Sequence, residues 1–161
     1  HAKDSTVKVK LDATDWKILR ELQDDGRITN VELARRVGMS APPCLRRVRA
    51  LEEAGIILGY RALLDAPGLG FELTAFAFIS LTSQAETDLT AFEALIRGWP
   101  IVREAWMLSG ETDFTLLCRA PTLRAFQSFV VDELAAAPNV AGVRTALAIR
   151  QSKSAAGVPI A

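Results

Sequence analysis

The chain has 161 residues, enough for one ordinary domain or two small ones, and half of them are hydrophobic, which excludes a disordered chain. Its 19 basic and 19 acidic side chains cancel overall but not locally: residues 1–61 carry twelve Lys and Arg against nine Asp and Glu, a net of +3, and residues 62–161 seven against ten, a net of −3. That split points to a polyanion facing only the first part of the molecule, while apolar runs such as FAFISL (76–81) are far too short to span a bilayer.

The opening HAKDSTVKVK has no apolar core, so it reads as a flexible tail (1–10) and not as a secretory signal; His1 in place of an initiator Met implies a trimmed chain or a residue added for purification. A first helix follows in LDATDWKILRELQDDGR. Asp12 is placed to cap it, Asp15 suits the positive end of its dipole, Leu11 and Trp16 occupy the positions of a hydrophobic staple, and Ile18, Leu19 and Leu22 continue a buried stripe to the break at DDG (24–26). Thr29 and Glu32 have the spacing of a capping box opening a second helix, with Val31, Leu33, Ala34 and Val37 inward and Gly38 ending it in a left-handed turn. Ser40 is placed to cap a third helix, whose first turn tolerates Pro42 and Pro43 and which runs to about Ala54 before Gly55.

Three short helices with only VGM between the second and third describe a helix-turn-helix over 11–56. On a helical wheel Cys44, Val48 and Leu51 share one face of the third helix, Arg46, Arg49, Ala50 and Glu53 lie opposite, and Arg47 projects from the flank. The arginine face is free to meet phosphates or base edges; the alternative is that Arg49 pairs with Glu52 or Glu53 along an exposed helix.

Residues 57–71 read as a strand-like linker closing in the proline-glycine joint APGLGF (66–71). Beyond it the pattern alternates: a buried strand at 72–81, a helix at 88–100 with Leu89, Phe92, Leu95 and Ile96 inward, strands at 101–108 and 113–120 around SGET, a helix at 122–137 burying Leu123, Phe126, Phe129, Val130 and Leu134, and a closing strand at 143–150. The fold class is therefore α+β: a winged-helix-like helix-turn-helix joined to a ferredoxin-like βαββαβ sandwich over 72–150, with a tail at 151–161. Cys44 and Cys118 stand far apart in apolar settings with no CxxC and no neighbouring His, so they read as buried free thiols in a reducing cytosol; neither a metal nor another cofactor is implied.

The blocks LDxxDxxIL (11–19), ELARRVGMS (32–40), LRRVRALEEAGII (45–57) and SGETDF (109–114), in that order and with KSAAGVPI (153–160) following, resemble the Lrp/AsnC family of transcription regulators. The resemblance implies a DNA-binding first domain and a second domain for effector binding and assembly, dimers that join into octamers or similar rings, amino-acid effectors, and a cytoplasmic, nucleoid-associated protein. It places Ser40, Pro42, Arg46, Arg47 and Arg49 near a pseudopalindromic operator in double-stranded DNA. Position 42, commonly Ser or Thr in the family, is proline here, so a polar contact is lost, whereas Ser40 and the free N–H groups of the helix start are expected to meet a phosphate. The effector pocket is implied between sensor domains at SGETD, with Gly110 allowing close approach, Asp113 facing a ligand ammonium, Thr145 lining the same site, and Met107 and Leu108 on its apolar side. Siroheme decarboxylases resemble the same architecture, but they rely on histidines and His1 is the only one present. A non-catalytic regulator is the reading adopted; an assembly module that binds no DNA is the third alternative.

Overall fold

In the computed structural model, which describes residues 9–155 and 157–161, the chain divides into two compact units, one of residues up to Leu63 together with Lys153–Ala161 and one of Leu64–Ser152. Most of the tail assigned to 1–10 lies outside the described residues.

The first unit begins at Asp12, whose carboxylate accepts the Asp15 amide at 2.8 Å while the Asp15 carboxylate accepts the Asp12 amide at 3.0 Å. This reciprocal box opens α1 (Ala13–Asp24). Thr29 caps α2 (Asn30–Val37), and Gly38, at φ 76°, supplies the left-handed residue that lets the Met39 amide return to the Ala34 carbonyl at 2.9 Å. Three residues separate the end of α2 from the start of helix α3 (Ala41–Glu53). The Asn30 side-chain amide donates to the Ala41 carbonyl at 2.9 Å, tying the start of α2 to the start of α3. Ile18, Leu33, Ala34, Val37, Cys44, Val48 and Leu51 form one core, in which each large aliphatic side chain removed from water contributes about 1.5–3 kcal/mol.

Two expectations for α2 fail. Val31 is 72 % exposed, because the buried stripe of α2 is centred on Leu33, Ala34 and Val37 and Val31 stands about 110° round the helix from it. Glu32 completes only half a capping box: Thr29 accepts the Glu32 amide at 3.2 Å, but the Glu32 carboxylate turns to Arg35 and Arg36.

In the second unit β1 (Leu73–Leu81), α4 (Glu86–Gly98), β2 (Val102–Met107), β3 (Phe114–Ala120), α5 (Leu123–Phe129) and β4 (Val140–Leu147) follow in the expected βαββαβ order. A wider π turn over Val130–Leu134 prolongs α5. The strands lie in the order β2-β3-β1-β4 with every neighbouring pair antiparallel, as in a ferredoxin-like sandwich. Strand alternation sends Ala75, Ala77, Ile79 and Leu81 of β1, and Phe114, Leu116, Cys118 and Ala120 of β3, toward the helices. Phe92 meets Phe114 at 5.1 Å between ring centroids, and Trp99 meets Phe129 edge-on at 5.3 Å. Leu95 and Leu123, expected inward, are exposed at the margins of their helical stripes, and the last strand spans 140–147 instead of 143–150. The linker read as strand-like carries no strand among the described residues, because no neighbouring strand pairs with it in the single chain; a 3₁₀ turn at Pro67–Leu69 interrupts its end.

Candidate nucleic-acid interface and effector-loop region

Five arginines lie on α2 and α3, and the structure sorts them. On α2, Arg35 donates from Nε and Nη2 to the two carboxylate oxygens of Glu32, at 2.9 and 2.7 Å, while Arg36 reaches Glu32 at 2.9 Å and Glu21 of α1 at 3.0 Å. The hydrogen bonds from Arg35, and next those from Arg36, pull the Glu32 carboxyl down to about 2. On α3, Arg46 and Arg49 are exposed and form no ion pair among the described residues, with Glu52 and Glu53 or with anything else. Glu52 instead accepts the Tyr60 hydroxyl at 2.9 Å.

Arg47 differs from both neighbours. Its Nη1 donates to Asp12 at 2.7 Å and to Asp15 at 2.9 Å, so the two acids that cap α1 also hold the flank of α3. The Asp12 carboxyl lies below its usual range, first because it accepts the Asp15 amide and next because it accepts Arg47. The flank residue expected near DNA is thereby engaged inside the unit.

Ser40 precedes α3 in extended backbone, yet its side chain caps nothing. An N-cap hydroxyl bonds the second or third helical amide, and here those positions are Pro42 and Pro43, which have none. The same prolines correct the expectation of several free N–H groups: of the first three helical residues only Ala41 retains one. The start of α3 therefore offers a phosphate a free hydroxyl and one amide, beside the exposed ring of Pro42.

In the second unit the turn between β2 and β3 is closed by the Leu108 amide donating to the Asp113 carbonyl at 2.8 Å. Asp113 also docks this turn on β1: its amide donates to the Ile79 carbonyl at 2.9 Å and its Oδ2 accepts the Leu81 amide at 2.6 Å. The carboxylate expected to face a ligand thus has one oxygen committed to the sheet. Gly110 has φ 124°, reserved for glycine, and a Cβ there would meet open space. Met107 and Leu108 are exposed at the strand end. Thr145 pairs with Ala77 and points to the helix side of the sheet, lining a hollow with Leu123, Phe126 and Val130, so the single chain does not bring it to the loop.

Beside the loop, on the face of the sheet away from the helices, Phe78, Ser80, Glu111, Thr112, Gly142 and Arg144 line a hollow of about 260 Å³. Arg144 lies over the Phe78 ring at 5.2 Å. Sequence reading placed the loop SGETD at the pocket without singling out Glu111, and it missed Arg144, which only the register that sets Phe78 opposite it reveals. Glu111 and Arg144 thus put one acidic and one basic residue beside a small hollow, the residue types a zwitterion calls for.

Residues 11–57 match the family description winged helix-turn-helix DNA-binding, and residues 74–158 match Lrp/AsnC ligand binding domain. The chain is 64 % identical over 154 residues to the leucine-responsive regulatory protein of Rhizobium meliloti (strain 1021), covering 96 % of this chain and 99 % of that one. It is 36 % identical over 152 residues to the transcriptional regulator AzlB of Bacillus subtilis (strain 168), covering 94 % and 97 %. Among solved structures, a transcriptional regulator of Neisseria meningitidis in complex with L-Met superposes with a TM-score of 0.89 at 39 % identity, over 93 % of this chain and 97 % of that one.

Proposed function

Since the chain belongs to the Lrp/AsnC family of DNA-binding transcription regulators, which are not enzymes, we propose that it reads an operator with Arg46, Arg49 and Ser40, and that a small amino acid bound near the β2–β3 turn sets its operator affinity. The observation that carries the DNA part is the contrast along α3: two unpaired, exposed arginines on the face opposite Cys44, Val48 and Leu51. Guanidinium groups placed so can take phosphate or guanine O6 and N7. Pro42 adds an apolar edge to the same helix start, and Arg47 acts from behind by fixing α3 on α1.

The effector part is supported by the L-Met complex of the Neisseria meningitidis regulator and by the hollow beside Gly110, where Glu111 suits an ammonium and Arg144 a carboxylate. In this reading Asp113 holds the turn in place, Met107 and Leu108 offer apolar contact, and Thr145 is brought near only by a second copy. Phe76 and Trp106, exposed on the open sheet face, support a homodimer, which would present two α3 helices to a pseudopalindromic site and join further copies into a ring such as an octamer. An effector that binds one assembly better than another shifts operator affinity by that difference. No described helix is long and apolar enough to cross a membrane; a regulator of this kind works in the cytoplasm, on the nucleoid.

Electrophoretic mobility shift with operator DNA, with and without L-methionine and L-leucine, tests both parts. Arg46→Ala with Arg49→Ala abolishes the shift at protein concentrations that saturate the parent. Glu111→Gln or Arg144→Gln removes the amino-acid response while DNA binding persists. Indifference of affinity and assembly to all twenty amino acids contradicts the effector part alone.

A further inference from the structure

Residues 157–161 lie against the helix-turn-helix, where Val158 meets Gln23 across 135 residues of sequence. The carboxamide of Gln23 holds Val158 by both backbone groups: Nε2 donates to the Val158 carbonyl at 2.7 Å, and Oε1 accepts the Val158 amide at 2.9 Å. This two-point grip is the one a neighbouring strand would offer, supplied here by a single side chain. Pro159 follows, and the Ile160 amide returns to the Val158 carbonyl at 2.8 Å, closing a three-residue turn that the proline's fixed φ favours. Val158 and Ile160 line one apolar groove together with Leu11, Trp16, Leu19 and Tyr60. The groove includes no residue of α3, so the arginine face stays uncovered.

We propose that α1 and residues 56–60 form a peptide-binding seat for the segment Gly157–Ile160, and that this segment is a strap whose docking sets the local stability of the helix-turn-helix unit. The seat recognises a short aliphatic peptide with a proline between two branched residues: Gln23 reads the backbone, and the flanking side chains form one wall of the apolar groove. The strap can be lifted, since Val158 remains 58 % exposed and is held by two hydrogen bonds and partial burial. Local openings of this kind are governed by the few contacts that close them. The inference is independent of the effector and operator readings.

Hydrogen–deuterium exchange without DNA tests it on the full chain, a chain ending at residue 156, and the full-length Val158→Asp variant. Truncation and Val158→Asp each speed exchange of the 16–23 and 56–60 amides about tenfold and leave the sheet unit unchanged. A synthetic peptide of residues 153–161, KSAAGVPIA, restores protection to the truncated chain at millimolar concentration, and the same peptide with aspartate for valine does not. Unchanged exchange in both variants overturns the proposal, as does acceleration spread evenly over both units or failure of the peptide to restore protection.

Discussion

Helices α2 and α3 each carry a doubled arginine, Arg35–Arg36 and Arg46–Arg47, and both belong to the same small unit. On α2 the charges are spent internally: Glu32, three and four residues ahead, takes both guanidinium groups, and Glu21 takes Arg36 again from α1. On α3 no acid precedes the arginines at helical spacing: those positions hold Pro42 and Pro43 for Arg46, Pro43 and Cys44 for Arg47, and Leu45 and Arg46 for Arg49, while Glu52 and Glu53, which follow Arg49 at that spacing, form no ion pair with it. Arg46 and Arg49 are left to solvent, and only Arg47, on the flank, finds acids at the start of α1. The number of arginines on a helix is therefore a weaker guide to a nucleic-acid face than whether the fold pairs them with acids.

The strongest way to break this contrast is to remove the unpaired charges. Arg46→Ala combined with Arg49→Ala is expected to weaken operator binding about 100-fold by fluorescence anisotropy, with the melting temperature unchanged. A fall of less than about threefold would move the DNA face away from α3.

Next in size is the Arg47 brace. Arg47→Ala and Asp15→Asn are each expected to weaken operator binding about tenfold and to lower the melting temperature by a few degrees, because both release the flank of α3 from α1. The acid variant separates brace from contact. Were Arg47 a DNA contact, Asp15→Asn would free it, remove a negative charge and tighten binding. Arg35→Ala, by contrast, should change operator affinity less than about threefold, since its charge is already neutralised within α2.

The smallest effect is a titration. Arg35 and then Arg36 pull the Glu32 carboxyl down to about 2, so the support this pair gives α2 is complete above the ordinary carboxylate value of 4.5 and is lost as pH falls below it toward 2. An NMR titration of the Glu32 side chain should show a midpoint near 2, whereas a midpoint near 4.5 would mean the α2 arginines are as free as those of α3.

Periodic features were legible in the chain: the inward set Cys44, Val48 and Leu51, the left-handed Gly38 and the βαββαβ order all follow from local spacing. The loss of amide donors at the start of α3 was legible too, since Pro42 and Pro43 occupy the second and third helical positions once Ser40 is taken as the cap. What escaped reading depends on partners far away in sequence. Arg47 meets Asp12 across 35 residues, Asp113 bonds Leu81 across 32, and Gln23 grips Val158 across 135. A carboxylate read as a ligand group and an arginine read as a DNA contact each look free until the fold brings in the partner that occupies them. Glu32 failed for a related reason: it had two uses at helical range, and the guanidinium groups outcompeted the backbone amide.

The most direct test of the account is the salt dependence of operator affinity in the parent, Arg46→Ala and Arg47→Ala proteins. Each lost phosphate contact should reduce the slope of log affinity against log salt by about one. With Arg46 on a phosphate, Arg46→Ala is expected to give a shallower slope, and Arg47→Ala a line parallel to the parent at lower affinity. A shallower line for Arg47→Ala with an unchanged slope for Arg46→Ala would contradict the account.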